Sequence, residues 1–278
     1  MFCDYHIHTN YSDDSQYLME DLVLDALEMK MDEICFTDHV DYGIKKDWDE
    51  VEEIEYRDGM PFLNVNYPQY FQEISDLQIK YPNLVMKKGM EFGVQVHTIP
   101  QYKTLFSKYP FDFIILSCHQ VNNQEFWIQE FQAGKTQKEY NEKYYQELLE
   151  IVKEYKDYSV LGHLDLITRY DELGVYDFEN IKEIVTQILK IVIADGKGIE
   201  VNTSSHRYGL NDLTPSRDIL KLYKELGGEV ITIGSDTHKH EHLGAYILET
   251  KKELKKLGFQ YYCTFDQMKP IFHQLDEE

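Results

Sequence analysis

The stretch Phe113-Ile114-Ile115-Leu116-Ser117-Cys118-His119 decides the fold. Its unbroken apolar run leaves no polar face, so Phe111–Ser117 reads as a strand buried on both sides, as strands of a parallel sheet are. It also ends on a histidine, and the ends of parallel strands are where α/β folds gather their ligand-binding groups. Working outward, comparable runs recur at Phe2–His8, Glu33–Thr37, Leu84–Gly89, Tyr158–Gly162, Gly198–Asn202 and Glu229–Gly234, with a further candidate at Gln260–Cys263. Between them helical stretches fall at roughly 15–30, 67–81, 136–157, 178–195, 215–226 and 240–257, each long enough for a crossover connection. Ser15 is expected to cap the first helix, and Thr214-Pro215 reads as a cap followed by a proline at the first helical position. No Pro-, Gly- or Ser-rich linker divides the chain, so residues 1–278 are expected to form one domain, an α/β barrel of βα units.

The chain has 278 residues, with 28 Lys+Arg against 50 Asp+Glu, a formal charge of −22. This balance argues against a nucleic-acid partner, because phosphate backbones are bound by clustered cations. Pairs such as Lys45-Lys46, Lys87-Lys88, Lys251-Lys252 and Lys255-Lys256 are short and diluted by acids. No apolar stretch offers a membrane span, and the N-terminus lacks a basic start and apolar core of a secretory signal, so a cytoplasmic protein is expected. Cys3, Cys35, Cys118 and Cys263 lie far apart, which fits reduced, buried thiols rather than a disulfide framework. The segment 40–66 has few regular signals and many acids (Asp41, Asp47, Asp49, Glu50, Glu52, Glu53, Glu55, Asp58), and reads as a lid or insertion.

Several strand ends carry metal-binding side chains. In Asp4-Tyr5-His6-Ile7-His8 the strand period of two sends His6 and His8 to one face, a weak signal alone. His39 follows in Thr37-Asp38-His39, then Glu91 after Lys87-Lys88-Gly89-Met90, His119, His163 after Val160-Leu161-Gly162, and Asp236 with His238. A carboxylate at Glu91 has two oxygens and is able to bridge two cations. Six successive strands delivering His, Asp or Glu at one rim point to a metal site rather than to core packing. His97, His240, His242 and His273 lack such a context and are read as non-ligands; the tyrosines, such as Tyr140, Tyr144 and Tyr145 at helical spacing, are read as packing residues.

These motifs resemble those of the PHP (polymerase and histidinol phosphatase) family of metal-dependent phosphoesterases. The family's motifs look present as HIHTNYSDD (6–14), TDH (37–39), SCH and GH (ending at His119 and His163) and SDTH (235–238), with Glu91 between the second and third. GMEFGV (89–94), GHLDLITRY (162–170) and VNTSSHRYG (201–209) look like the histidinol-phosphatase branch. The resemblance implies a distorted seven-stranded, TIM-like (βα) barrel with up to three divalent ions at the C-terminal rim, Mn, Fe or Zn, with Mg also accepted. It would place His6, His8, Glu91 and Asp236 on the first ion and Glu91, His119 and His163 on the second. Asp14, His39 and His238 would hold the third. Some relatives carry a histidine at the Asp14 position, and a carboxylate there makes the third site harder.

The implied reaction is hydrolysis of L-histidinol phosphate to L-histidinol and phosphate, a step of histidine biosynthesis, by a hydroxide bridging two ions. Arg169 is expected to clamp the phosphate, since a guanidinium fork matches its oxygens. His206 is expected to bind phosphate or protonate the leaving alkoxide, Arg207 to assist binding, and Asp236 to take a proton from the attacking water. The acids of the 40–66 segment are expected to recognise the substrate's positive end. The expected partner is thus a small phosphomonoester, with no nucleic acid and no membrane. Two competing readings are a phosphoesterase acting on nucleotides, oligonucleotide ends or phosphotyrosyl protein, and a metal-stabilised regulatory module without turnover. The second is disfavoured because no expected ligand is missing.

Overall fold

Residues 1–57 and 59–275 are described by a computed structural model. Seven parallel strands, β1 (Cys3–Ile7), β2 (Glu33–Phe36), β3 (Val85–Gly93), β4 (Phe113–Ser117), β5 (Val160–Leu161), β6 (Gly198–Asn202) and β7 (Ile231–Gly234), pair in chain order. The ring closes where His8 N–H donates to the Thr237 carbonyl at 2.8 Å, just past the ends of β1 and β7. Below this closure the buried Asp4 carboxylate accepts from the N–H groups of Ser235 (2.8 Å) and Gly244 (3.0 Å), tying β1 to the exit of β7. The α/β barrel is therefore distorted and nearly closed, as the alternation of apolar runs and amphipathic stretches requires.

Seven helices follow the strands: α1 (Met19–Glu28), α2 (Tyr67–Lys80), α3 (Ile99–Lys108), α4 (Gln137–Glu154), α5 (Phe178–Ala194), α6 (Arg217–Glu225) and α7 (Ile247–Lys256). Each turns an apolar stripe inward, as α5 does with Ile181, Val185, Ile188, Leu189 and Val192. α3 has no counterpart among the helices expected from the sequence. It buries only Ile99, Tyr102 and Leu105, a single narrow row that leaves a faint periodicity, and β3 runs on to Gly93 rather than ending at Gly89.

Several expected boundaries move. α1 begins at Met19 after an uncapped Leu18, while the Ser15 hydroxyl donates instead to the His238 carbonyl at 3.1 Å. Ser216, not Thr214, caps α6, accepting from Ile219 N–H; the Thr214 carbonyl accepts from Asn202 N–H at 2.7 Å. The expected helix at 240–257 divides into a turn at His240–His242 and α7, separated by Gly244 and Tyr246 at positive φ. The run at Gln260–Cys263 is no barrel strand; it opens an antiparallel hairpin, β8 (Tyr261–Asp266) with β9 (Lys269–Gln274). Phe265 of this hairpin packs 5.0 Å from the Phe113 ring, and its N–H donates to the Tyr5 hydroxyl at 2.8 Å, covering the strand starts.

The 40–66 segment is less irregular than its composition suggests. His39–Val40 pairs alongside β3, and Tyr56–Arg57 and Met60–Pro61 form a short hairpin. Asp47 holds the segment together, accepting from the hydroxyls of Tyr67 (2.6 Å) and Tyr42 (2.9 Å) and from the Asn64 amide (3.1 Å). All four cysteines are free and buried. Among the described residues no helix is long and apolar enough to cross a membrane.

Candidate metal centre

Strand alternation sends both His6 and His8 into the barrel mouth, where each is fully buried, with ring centroids 5.0 Å apart. Glu91, near the end of β3, stands at the centre. Its Oε2 lies 3.1 Å from His6 Nε2, 3.5 Å from His8 Nε2 and 3.0 Å from His39 Nδ1. Its Oε1 lies 2.7 Å from His163 Nε2 and 3.1 Å from His119 Nε2, and accepts from the Ser117 hydroxyl at 2.7 Å. One carboxylate thus turns its two oxygens to two different sets of imidazoles. Asp236 Oδ1 approaches His8 Nε2 at 3.4 Å and His6 Nε2 at 3.7 Å. At the outer rim the half-exposed Asp14 stands 3.0 Å from His238 Nε2 and 3.5 Å from His39 Nε2.

The donor set fits divalent cations. Nε2 of His6 and His8, Nδ1 of His39 and Oε2 of Glu91 are buried and converge without any hydrogen bond, an arrangement costly unless a cation satisfies them. Ligand atoms close enough to share one ion occur in His6, His8 and Asp236; in His6, Glu91 and His163; in His8, His39 and His238; and in His39, Asp41 and His119. Imidazoles with carboxylates suit Zn, Mn and Fe.

Protonation follows the same geometry. Burial favours the neutral ring at His8, reinforced by His238 and His39, and holds its pKa well below the ordinary value. Burial works the same way at His6, but Glu200, Glu91 and Asp236 outweigh it and raise that ring's pKa well above the ordinary value. His119 is held at about 9, burial being overcome by Glu91 and Asp41. Burial would raise the Glu91 carboxyl, yet His6, His119 and His39 keep it well below the usual carboxylate range. The carboxylates are therefore ionised, whereas His6, His39 and His119 would have to give up a proton to take a cation.

The loops after β5, β6 and β7 build the neighbouring wall. The buried Arg169 donates from Nη2 to Ser204 Oγ at 2.5 Å and lies 3.4 Å from Asp236 Oδ2, its guanidinium 4.3 Å above the Tyr208 ring. Arg207 donates to the carbonyls of Ser235 (2.7 Å) and Asp236 (2.5 Å). These bonds hold Asp236 at φ +56°, a left-handed conformation that a non-glycine residue adopts at a cost. A cavity of about 1280 Å³ opens here, lined by Asp14, His39, Glu91, His119, His163, Arg169, Arg207, Asp236 and His238 among others.

Some expectations do not hold. His206 does not reach the cavity: the short helical turn Thr203–His206 carries its ring outward, exposed and stacked 4.2 Å from Tyr246. The acids Asp49, Glu50, Glu52, Glu53 and Glu55 are exposed and do not line the cavity; from this segment Asp41, Ile44, Lys45, Arg57 and Met60 do, and Asp58 lies outside the described residues. His240 and His242 border the cavity mouth, with His240 Nδ1 turned to Asp25 at 2.6 Å, while His97 meets Asn123 and His273 meets Thr264. Asp38, inside the T-D-H motif, accepts from Thr9 N–H (2.7 Å) and from the Ser12 hydroxyl (2.7 Å).

Two buried acids stand behind imidazoles in a way the sequence reading does not foresee: Glu200 has no expected role, and Asp41 is expected only among the substrate-facing acids of segment 40–66. Glu200 Oε1 lies 2.5 Å from His6 Nδ1, and Asp41 Oδ1 lies 2.8 Å from His119 Nδ1. A signal existed for each: Glu200 is the lone acid in the strand Gly198–Asn202, and Asp41 lies two residues past His39.

A family model for the PHP domain matches residues 4–204. A histidinol-phosphatase of Lactococcus lactis subsp. lactis is 33% identical over 273 residues, 96% of this chain and 95% of the relative. A probable histidinol-phosphatase of Clostridium acetobutylicum is 29% identical, over 99% of this chain and 97% of its own. The crystal structure of the histidinol phosphate phosphatase from Lactococcus lactis, complexed with Zn, L-histidinol and phosphate, superimposes with a TM-score of 0.82 at 31% identity, covering 97% of this chain and 98% of that one. On the extent of these matches, and with the motifs gathered at one rim, the chain belongs to the PHP domain family.

Proposed function

We propose that this chain is a metal-dependent phosphomonoesterase that hydrolyses L-histidinol phosphate to L-histidinol and inorganic phosphate. The observation that carries the reading is Glu91, whose two oxygens face separate groups of imidazoles beside a pair of arginines. Full-length likeness to histidinol-phosphatases, one of them seen with Zn, L-histidinol and phosphate, supports the substrate. His6, His8, Glu91 and Asp236 would hold a first ion, Glu91, His119 and His163 a second, and Asp14, His39 and His238 a third. Zn, Mn or Fe suits all three, with Mg also suited at the third through Asp14. When bound, such ions supply positive charge to the phosphoryl oxygens and lower the pKa of water.

The chain's own residues do the rest. Arg169, fixed by Ser204 and stacked on Tyr208, offers a preorganised fork to the phosphate. Arg207 adds a second cation to the same wall. Asp236 turns Oδ1 toward His6 and His8 and Oδ2 toward Arg169; burial would raise its pKa, but His6, His8, His238 and Arg169 hold it well below the usual carboxylate range, so it stands ionised between the imidazoles and the guanidinium. Bond cleavage places the alkoxide on the leaving group, and water supplies the oxygen of the phosphate and the proton of the alcohol. Tyr170, Tyr208, Trp127 and Met60 give the cavity apolar surface on which an imidazole ring can lie.

The test is an assay of protein reconstituted with Mn, or with Zn, against histidinol phosphate, AMP, phosphotyrosine and a short oligonucleotide, with and without chelator. A chelator-sensitive kcat/KM at least ~100-fold higher for histidinol phosphate, about 3 kcal/mol of transition-state binding, is the expected result. Equal rates on all four would sink the substrate assignment, and no activity on any would favour the regulatory reading.

A further inference from the structure

Behind the imidazoles, the barrel has made room for two buried acids in the same way. Glu200 and His6 are both fully buried, with Oε1 2.5 Å from Nδ1. The other Glu200 oxygen accepts from the backbone N–H of His163 at 2.9 Å. A Cβ on Gly234 would fall 2.2 Å from His6 Cβ and 2.8 Å from Glu200 Oε1, so only glycine lets this pair form. On the other side of Glu91, Asp41 Oδ1 lies 2.8 Å from His119 Nδ1. A Cβ on Gly93 would fall 1.9 Å from Asp41 Oδ1 and 2.8 Å from His119 Nδ1. Each pair leaves the opposite ring nitrogen, Nε2, facing Glu91, at 3.1 Å in both cases.

The two pairs differ in electrostatics. Glu200 has His6 as its ion-pair partner, whereas Asp41 divides its charge between His119 and Lys45, whose Nζ lies 3.0 Å from Asp41 Oδ2 and also pairs with Asp13. The surroundings differ too: the side chain of His6 is 0% exposed and that of His119 is 18% exposed. A carboxylate that takes the N–H of a ligating imidazole fixes its tautomer and raises the basicity of the other nitrogen. An undivided charge in a drier setting does so more strongly.

We propose that Glu200 and Asp41 are positioning residues that brace one imidazole on each side of Glu91, and that their unequal bracing makes the His6 side the tighter cation site and the His119 side the exchangeable one. The inference rests on the ligand reading given above. The first cation added to the metal-free protein enters beside His6, and the last to survive dialysis stays there. Gly234 and Gly93 are the steric condition of this arrangement, each absent side chain leaving space for a carboxylate and its imidazole to meet.

The test is a chelator-competition titration of the metal-free full chain with Zn, read as stepwise dissociation constants, with the bound metal counted after dialysis. Far-ultraviolet circular dichroism and thermal melting of each metal-free variant report folding. Glu200→Gln keeps the shape and removes the charge; it is expected to weaken the tightest step by about tenfold to a hundredfold. Asp41→Asn is expected to weaken a later step by less and to leave the tightest step in place. His6→Ala and His119→Ala serve as ligand controls. If both controls lose metal while Glu200→Gln retains every wild-type constant, the ligand reading stands and the bracing is refuted. A larger loss in Asp41→Asn than in Glu200→Gln refutes the stated order. If the controls also retain wild-type affinity, the ligand reading itself fails. Should Glu200→Gln misfold, Gly234→Ala and Gly93→Ala carry the same comparison, each displacing one pair.

Discussion

Removing Arg169 gives the sharpest test of how the proposed active site handles phosphate. Its guanidinium is buried, 2.5 Å from Ser204 Oγ and 3.4 Å from Asp236 Oδ2, and lies over Tyr208, so its orientation is set before substrate arrives. A hydrogen bond to a charged group contributes about 1.5–3 kcal/mol net, and a fork makes two of them. Little side-chain entropy is lost on binding, because the packing has already ordered the group. Truncation to Ala should therefore cost about 3–4 kcal/mol of transition-state stabilisation, or about 10²–10³ in kcat/KM. Arg169→Lys keeps the charge without the fork, and should fall by about tenfold to thirtyfold. Steady-state kinetics on histidinol phosphate, with inorganic phosphate as product inhibitor, measures both, and thermal melting checks that the variants fold. A drop of less than about fivefold in folded Arg169→Ala, with unchanged phosphate inhibition, would refute the assignment of this residue to the phosphate.

Four further outcomes follow from the same structure. Glu91→Gln replaces one of the two oxygens by a donor, so elemental analysis should find metal lost from both sides of the cluster, and activity should fall by about 10³ or more. Because burial at His119 is overcome by Glu91 and Asp41 to leave a pKa of about 9, the metal-free ring is protonated below that pH and must lose its proton to bind a cation. Cation affinity measured by chelator competition should therefore rise between pH 6 and pH 9, by up to about tenfold per unit for each proton displaced, and a flat profile would contradict this. Burial pushes the Cys3 and Cys263 thiols up to about 12 and holds those of Cys35 and Cys118 well above the ordinary value, so a thiol reagent at pH 8 should find no reactive cysteine in the native chain and four after denaturation. Replacing Asp49, Glu50, Glu52 and Glu53 together with their amides should leave KM for histidinol phosphate within about twofold, since exposed charges outside the cavity are screened by salt; a large rise would restore the idea of an acidic lid over the substrate.

Much of the molecule was legible in chain order. A strand buried on both faces must be apolar along its length, so β4, with Phe113, Ile114, Ile115 and Leu116, announces itself, and the polar residue that ends such a run marks the rim. That is why His6, His39, Glu91, His119, His163 and Asp236 could be named as rim residues from the sequence, with the motifs of the PHP family to group them. α3 could not be read, because its three buried side chains make too short a row to stand out from the connections on either side. The hairpin of β8 and β9 has strand-like composition, but only the packed barrel determines that it covers the strand starts rather than joining the ring.

Local composition also misleads where solvent and packing decide. His206 sits next to Arg207 in the sequence, yet a single helical turn carries one ring outward to Tyr246 while the other side chain reaches the carbonyls of Ser235 and Asp236. The acids of segment 40–66 look alike in the chain, but Asp47 is spent on two tyrosines and an asparagine, Asp41 turns to His119, and others face water. Glu200 meets His6 across 194 residues of chain, and that pairing exists only once β6 and β7 lie side by side next to β1 with a glycine at position 234 between them. Residue types and their period along a strand are local properties, and together with the family motifs they suffice to name the proposed ligands. Which acid backs which imidazole, and how strongly its charge is felt there, depends on distances between strands remote in sequence and on the exclusion of water, which arise only when the barrel closes.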